Sequence, residues 1–176
     1  MIDNKEFEQM RKEMANNDAK REDIIQLSRE IINLSKKIIY SLHRSDINAV
    51  VSYILQIESK KKKLEKTNLM DLDVNINKTA LQEYVEALTY YHFIKNKKLP
   101  TKASLKVDSE SYLLGLCDLT GELVRKAVKD VIQKKYKEAL KITNLVEEIY
   151  GEFLKFNLKN SELRKKSDQI KWNLKK

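Results

Sequence analysis

Three glycines and one proline in 176 residues leave this chain almost without the residues that break helices or build tight turns. Proline occurs only at Pro100, and glycine only at Gly115, Gly121 and Gly151. A β-rich fold, which needs a turn about every 8–12 residues, is excluded. The expected class is all-α, an antiparallel bundle of about six to seven helices. A chain of this length can bury one sizeable core, so residues 1–176 are read as a single helical domain.

Apolar residues then place the helices. Ile24/Ile31/Ile38, Ile25/Ile32/Ile39 and Leu27/Leu34 recur every seven residues, which predicts a long helix over 21–44 with a coiled-coil-like seam. Ser45-Asp46 offers an N-cap to a second helix carrying Val50, Val51, Ile54, Leu55, Ile57 and Leu64. Its Lys60–Lys63 run reads as a solvated face with Glu58 and Glu65 as helical partners. Residues 67–78 read as a loop, 79–97 as a third helix, and 98–106, around Pro100, as a connection. Asp108 or Ser109 caps a fourth helix over 112–132, a fifth runs over 135–156, and a last begins near Asn160 or Ser161.

Lys and Arg number 35 against 26 Asp and Glu, a net charge of +9 that suits a polyanionic partner such as RNA without proving one. The single cysteine, Cys117, sits in an apolar helical run where it packs rather than reacts, and it fits a reducing, cytoplasmic setting. No run approaches 18 apolar residues, so neither secretion nor membrane spanning is expected.

The chemistry-bearing candidates are acidic. Glu83 and Glu86 lie three residues apart on the third helix, and Asp118 and Glu122 four apart on the fourth; each pair shares a face. A short connection makes the two helices antiparallel neighbours, so both pairs can converge on one site of hard oxygen ligands suited to Mg²⁺ or Mn²⁺. Surface carboxylates on helices usually find a basic residue three or four positions away. Glu83, Glu86 and Asp118 do not, although Glu30 and Glu147 lack one as well. Gly115 and Gly121 flank Asp118, and either close helix packing or room for a metal or phosphate would account for them. The Glu-x-x-His pairs of a di-iron bundle are missing, since Tyr40 precedes His43 and Thr89 precedes His92 at that spacing. Zinc-site, Walker A and dinucleotide patterns are missing too.

Two segments, LQEYVEALTYYHFIK at 81–95 and YLLGLCDLTGELVRK at 112–126, closely resemble the paired helices of the translin/TRAX family, and IIYSLHR at 38–44 resembles the end of its first long helix. The QEYVE segment resembles the TRAX, or catalytic, side. The resemblance implies about seven antiparallel helices per subunit, a hollow barrel-like homo-octamer of the archaeal kind enclosing RNA, and Mg²⁺-dependent endoribonuclease activity on single-stranded RNA. The family's acidic catalytic and metal-holding positions fall on Glu83, Glu86 and Asp118, with Glu122 at the adjoining acidic position. The loop between the third and fourth helices is shorter than in animal TRAX, and the chain stops at Lys176 inside what resembles the last helix, so part of that helix is expected to be missing.

These expectations make Glu83, Glu86 and Asp118 holders of one or two ions, with Glu122 a further ligand or an orienting group. The metal would stabilise charge developing on the scissile phosphate, leaving a 5′-phosphate and a 3′-hydroxyl. Arg125, Lys126, His92 and Lys95 are the candidate RNA-binding residues, and Tyr90, Tyr91 and Tyr112 the candidate stacking residues. The rival readings are a non-catalytic, translin-like module for single-stranded RNA or DNA and a structural helical oligomer that binds no nucleic acid.

Overall fold

The computed structural model describes residues 2–67 and 75–175. Among them are seven helices and no strand: α1 (Asn4–Arg44), α2 (Ile47–Lys66), α3 (Asn75–Asn96), α4 (Lys102–Leu105), α5 (Ser109–Ile132), α6 (Tyr136–Phe153) and α7 (Glu162–Asn173). Side-chain caps set most of the starts. Asp3, Asp46, Thr101, Asp108 and Ser161 each accept a hydrogen bond from a backbone N–H in the first turn that follows, satisfying donors the helix cannot. Ser45 and Lys106 close α1 and α4 in the left-handed conformation, which allows abrupt turns without glycine.

Two boundaries differ from the sequence reading in an instructive way. α1 begins at Asn4, not near residue 21. Its first five turns carry good helix formers, an N-cap and only the short apolar stripe Phe7, Met10 and Met14, which nothing among the described residues covers, and residues 2–23 are exposed throughout. The seven-residue recurrence therefore marks where the helix packs, not where it starts. The connection at 98–106 holds the short α4. Of the loop read at 67–78, residues 68–74 lie outside the described residues, and the helix is already formed at Asn75.

The helices pack in sequence across the molecule, α1 against α2 and α3, α3 against α5, and α5 against α6 and α7. α3 and α5 run in the same direction rather than antiparallel as their short connection implied: Gly115 and Asp118 meet Gln82 and Val85, while Lys126, Lys129 and Asp130 gather with Tyr90 and Ile94. The connection carries the chain back along α3, with Leu105 beside Lys61 near Tyr84, before α5 begins. Ile24, Ile31 and Ile38 of α1 are completely buried with Val50 and Ile57 of α2, Val85 and Tyr90 of α3, and Leu119 and Leu123 of α5. The α1 seam is thus consumed within the subunit. It is not the surplus apolar face that self-association would use; exposed apolar side chains lie instead at Phe7, Met10 and Met14, at Val51 and Leu55, and at Val128, Val131, Ile132 and Leu140.

The lysine run on α2 is also not a simple solvated face. Lys61 is 3% exposed and donates to the carbonyls of Leu105 at 2.9 Å and Lys106 at 2.7 Å, tying α2 to the end of α4, with Glu65 beside it. Lys60 meets Glu30 of α1 at 2.5 Å. Glu58 accepts a 2.7 Å hydrogen bond from the buried Tyr84 of α3. A charge run read by spacing alone misses partners that arrive from other helices.

Of the two glycines near Asp118, Gly115 has a packing reason. A Cβ there would lie 2.6 Å from Val85 Cβ and Cγ1 and 2.8 Å from the Gln82 carbonyl, so α3 and α5 approach at a distance only glycine permits. Gly121 faces nothing nearer than Asn173 Nδ2 at 3.9 Å. Opposite outcomes are therefore expected for one chemical change. Gly115→Ala should destabilise by about 1–3 kcal/mol through overpacking. Gly121→Ala should stabilise by up to about 1 kcal/mol through helix propensity. Urea denaturation of the two variants measures both, and equal effects would contradict the close approach.

Candidate carboxylate site

Spacing and packing bring the four acidic residues to one region. Glu83, Glu86 and Tyr90 follow one another at i, i+3 and i+7 on α3, Asp118 and Glu122 stand one turn apart on α5, and the Gly115 contact presses those faces together. Glu83, Glu86 and Glu122 line an open cleft of about 500 Å³ with Lys36, Lys37, Ile39 and Tyr40 of α1 and Arg125 of α5. Asp118 stands beside it, close enough for its charge to act on both Glu83 and Glu86.

Each carboxylate has a different balance. Asp118 is held by Lys166 of α7, whose Nζ lies 2.7 Å from Oδ1 and 2.8 Å from Oδ2, and it accepts a 2.5 Å hydrogen bond from Gln82 Nε2. Glu122 meets His43 Nε2, with Arg125 further off at 3.8 Å. The other ring nitrogen of His43 lies 3.3 Å from the Tyr90 hydroxyl. Glu86 is 9% exposed, and burial together with the charges of Asp118, Glu83 and Glu122 pushes its carboxyl up to about 8, against the pull of Lys166. Glu83 is raised chiefly by burial and also by Asp118, while Lys36 and Lys166 pull it down.

Among the described residues, no three His, Cys, Asp or Glu side chains stand ready to hold a metal ion together. The donor set nevertheless fits a hard divalent cation. Its ligands are all carboxylate oxygens, and burial first, with the neighbouring carboxylates adding to it, raises the Glu86 carboxyl to about 8. Seating an ion would require Lys166 to release Asp118, and His43 to release Glu122 if that residue joined.

The sequence-selected basic and aromatic residues scatter. Arg125 lines the cleft. Lys126 is turned to Asp130, 2.8 Å and 2.9 Å from its two oxygens. His92 packs edge-on against Tyr91, and Lys95 donates to the Tyr91 hydroxyl at 3.2 Å; neither lines the cleft. Tyr90 is completely buried and has no face to offer a base, which corrects its reading as a stacking residue. Tyr91 and Tyr112 are half-buried, and Tyr112 donates to the Pro100 carbonyl. Cys117 is buried with its thiol pushed up to about 12, in keeping with a packing role. Sequence reasoning missed Lys36, Lys37, Tyr40, His43, Gln82 and Lys166. Lys166 lies 48 residues from Asp118 and His43 79 from Glu122, so no helical spacing could reveal either pair.

Fold and site together define a helical bundle that presents a carboxylate cluster in a basic-rimmed cleft. The chain belongs to the Translin family, whose model matches residues 19–176. Translin-associated protein X of Mus musculus is 27% identical over 194 residues, covering 84% of this chain and 66% of that protein. Among solved structures, apo-NeC3PO superposes with a TM-score of 0.91 at 31% identity over 99% of this chain and 94% of that one. The AfC3PO–duplex RNA complex, at 24% identity, shares the fold with a TM-score of 0.88 over 97% of this chain and 91% of that one.

Because Glu86 is raised in the folded chain from an ordinary value near 4.5 to about 8, the folded state holds a proton that the unfolded state has lost between those pH values. Stability should therefore fall as pH rises through that window in metal-free buffer. Glu86→Gln should flatten the profile and melt higher than wild type near pH 8. Melting temperatures in EDTA across the window measure this, and parallel profiles for the two proteins would contradict the assignment.

Proposed function

We propose that the chain is a Mg²⁺- or Mn²⁺-dependent endoribonuclease that cuts single-stranded RNA, working in the cytoplasm as a hollow homo-oligomer. The observation that carries this reading is the crowding of Glu83, Glu86 and Asp118 on facing helices, with Glu86 raised by burial and, after it, by the charges of Asp118, Glu83 and Glu122. Helix packing brings the three carboxylates together, and a divalent cation is a partner that would turn their repulsion into binding. Family membership and a relative solved with duplex RNA support RNA as the substrate class. The octamer number rests on the family resemblance.

In this reading Glu83, Glu86 and Asp118 hold the cation, and Glu122, oriented by His43, adjoins them. The bound ion would supply positive charge to offset the negative charge developing on the phosphate and leaving oxygen during in-line displacement. Lys36, Lys37 and Arg125 on the cleft wall attract the RNA backbone, and Tyr40, 57% exposed beside them, offers a ring on which a base can stack. Cleavage would leave a 5′-phosphate and a 3′-hydroxyl. The second reading, a binding module for single-stranded RNA or DNA that does not cut, is favoured by one observation: Lys166 already neutralises Asp118, so the cluster persists without an ion.

Labelled single-stranded and duplex RNA, each with Mg²⁺, Mn²⁺ or EDTA, separate the two readings. Wild type should cut single-stranded RNA only with a divalent ion. Asp118→Asn should keep salt-sensitive binding yet lose cleavage by about a hundredfold or more. Glu83→Ala and Glu86→Ala should each be as severe, with the double variant hardly worse, as for groups acting as a unit. Glu147→Ala, on an exposed face of α6, serves as the control. Glu58 does not, because it anchors Tyr84. Unchanged cleavage in folded Glu83 and Asp118 variants would leave the binding module.

A further inference from the structure

Two unpartnered apolar features lie at opposite ends of the molecule. The first is the N-terminal half of α1. Phe7, Met10 and Met14, at i, i+3 and i+7, form one apolar stripe on an arm whose residues 2–23 are all exposed. The second is a groove of about 350 Å³ between α5, α6 and the end of α7, lined by Val124, Val128, Val131, Ile142, Val146 and Leu174. Ile132, which also lines it, is 76% exposed. Together these side chains make an apolar patch of the kind that marks an interaction site.

We infer that the α1 arm of one copy of this chain docks its Phe7–Met10–Met14 stripe into the α5/α6/α7 groove of another. This rests on the proposal that the chain self-associates and specifies the contact. Three observations select a second copy as the occupant. The shapes correspond, an amphipathic helix and a helix-lined apolar groove. The charges correspond modestly: residues 2–23 carry seven acidic and five basic side chains, and of the seven basic side chains in 124–146, Arg125 lines the carboxylate cleft and Lys126, Lys129 and Lys135 the pocket beside His43, leaving Lys134, Lys137 and the Glu138-paired Lys141. Finally, an arm cannot reach the groove of its own chain. Lys129 of α5 donates to the His43 carbonyl at 2.7 Å, which places the groove at the C-terminal end of α1. Met14 lies 29 residues back along the same unbroken helix, about 44 Å away at 1.5 Å per residue.

In the full-length double variant Met10→Cys/Val131→Cys, any disulfide between the new residues must join two chains. The native Cys117 is buried and should stay silent. Mild oxidation should convert most of the protein into covalent multimers on a non-reducing gel, whereas Met10→Cys/Lys62→Cys, with its second thiol at an exposed polar position of α2, should stay largely monomeric there. Phe7→Asp/Met14→Asp should lower the mass seen by light scattering. A large wild-type assembly that neither crosslinks through residues 10 and 131 nor responds to the arm substitutions would overturn this contact and leave self-association standing. A monomeric wild type would overturn both.

Discussion

Where α3 crosses α5, the Gly115 backbone lies so close to Val85 and to the Gln82 carbonyl that a methyl group would overlap both. This approach decides which faces meet. One turn along α5 from Gly115 comes Asp118 and one further comes Glu122, while α3 presents Glu83 and Glu86 on either side of Val85. Four acidic side chains are thus driven together by packing. Their repulsion is answered by Lys166 on Asp118, by His43 on Glu122, by Lys36 near Glu83, and by a proton retained on Glu86.

Much of this was legible in the sequence, and the boundary between what was and was not has a physical cause. Helical spacing is local, so the pairing of Glu83 with Glu86 and of Asp118 with Glu122 on shared faces could be read directly, and the caps at Asp46, Asp108 and Ser161 could be narrowed to two neighbouring residues each. Apolar periodicity reports burial. It therefore located the packed half of α1 and missed the exposed arm, which depends on propensity and an N-cap alone. Charge partners are the least local property of a helical bundle. Asp118 looked unpaired because its lysine belongs to α7, and Glu58 and Lys61 looked solvated because Tyr84 and the end of α4 reach them from elsewhere.

The distribution of charge matters more than its sum. A net charge of +9 describes the whole chain, yet the cleft has an acidic floor between Lys36, Lys37 and Arg125, and the α1 arm carries a local acidic excess. A floor that repels phosphate beneath walls that attract it makes sense for a polyanion only if a cation lies between them. Without one, the same arrangement would hold a nucleic acid by its backbone at the rim and leave it uncut. The chemistry proposed for the site therefore turns on whether the carboxylates bind an ion.

Calorimetric titration of the metal-free chain with Mn²⁺ or Mg²⁺ near pH 7, repeated in buffers of different ionisation enthalpy, addresses that question without relying on turnover. Since Glu86 holds its proton up to about pH 8, an ion seated on the cluster should displace it. The account predicts saturable binding with release of close to one proton per chain. In Glu86→Gln the release should vanish, and in Asp118→Asn the affinity should fall. Saturable binding with no proton release, unaffected by either substitution, would place the ion elsewhere, and no binding at all would remove the cation from the account.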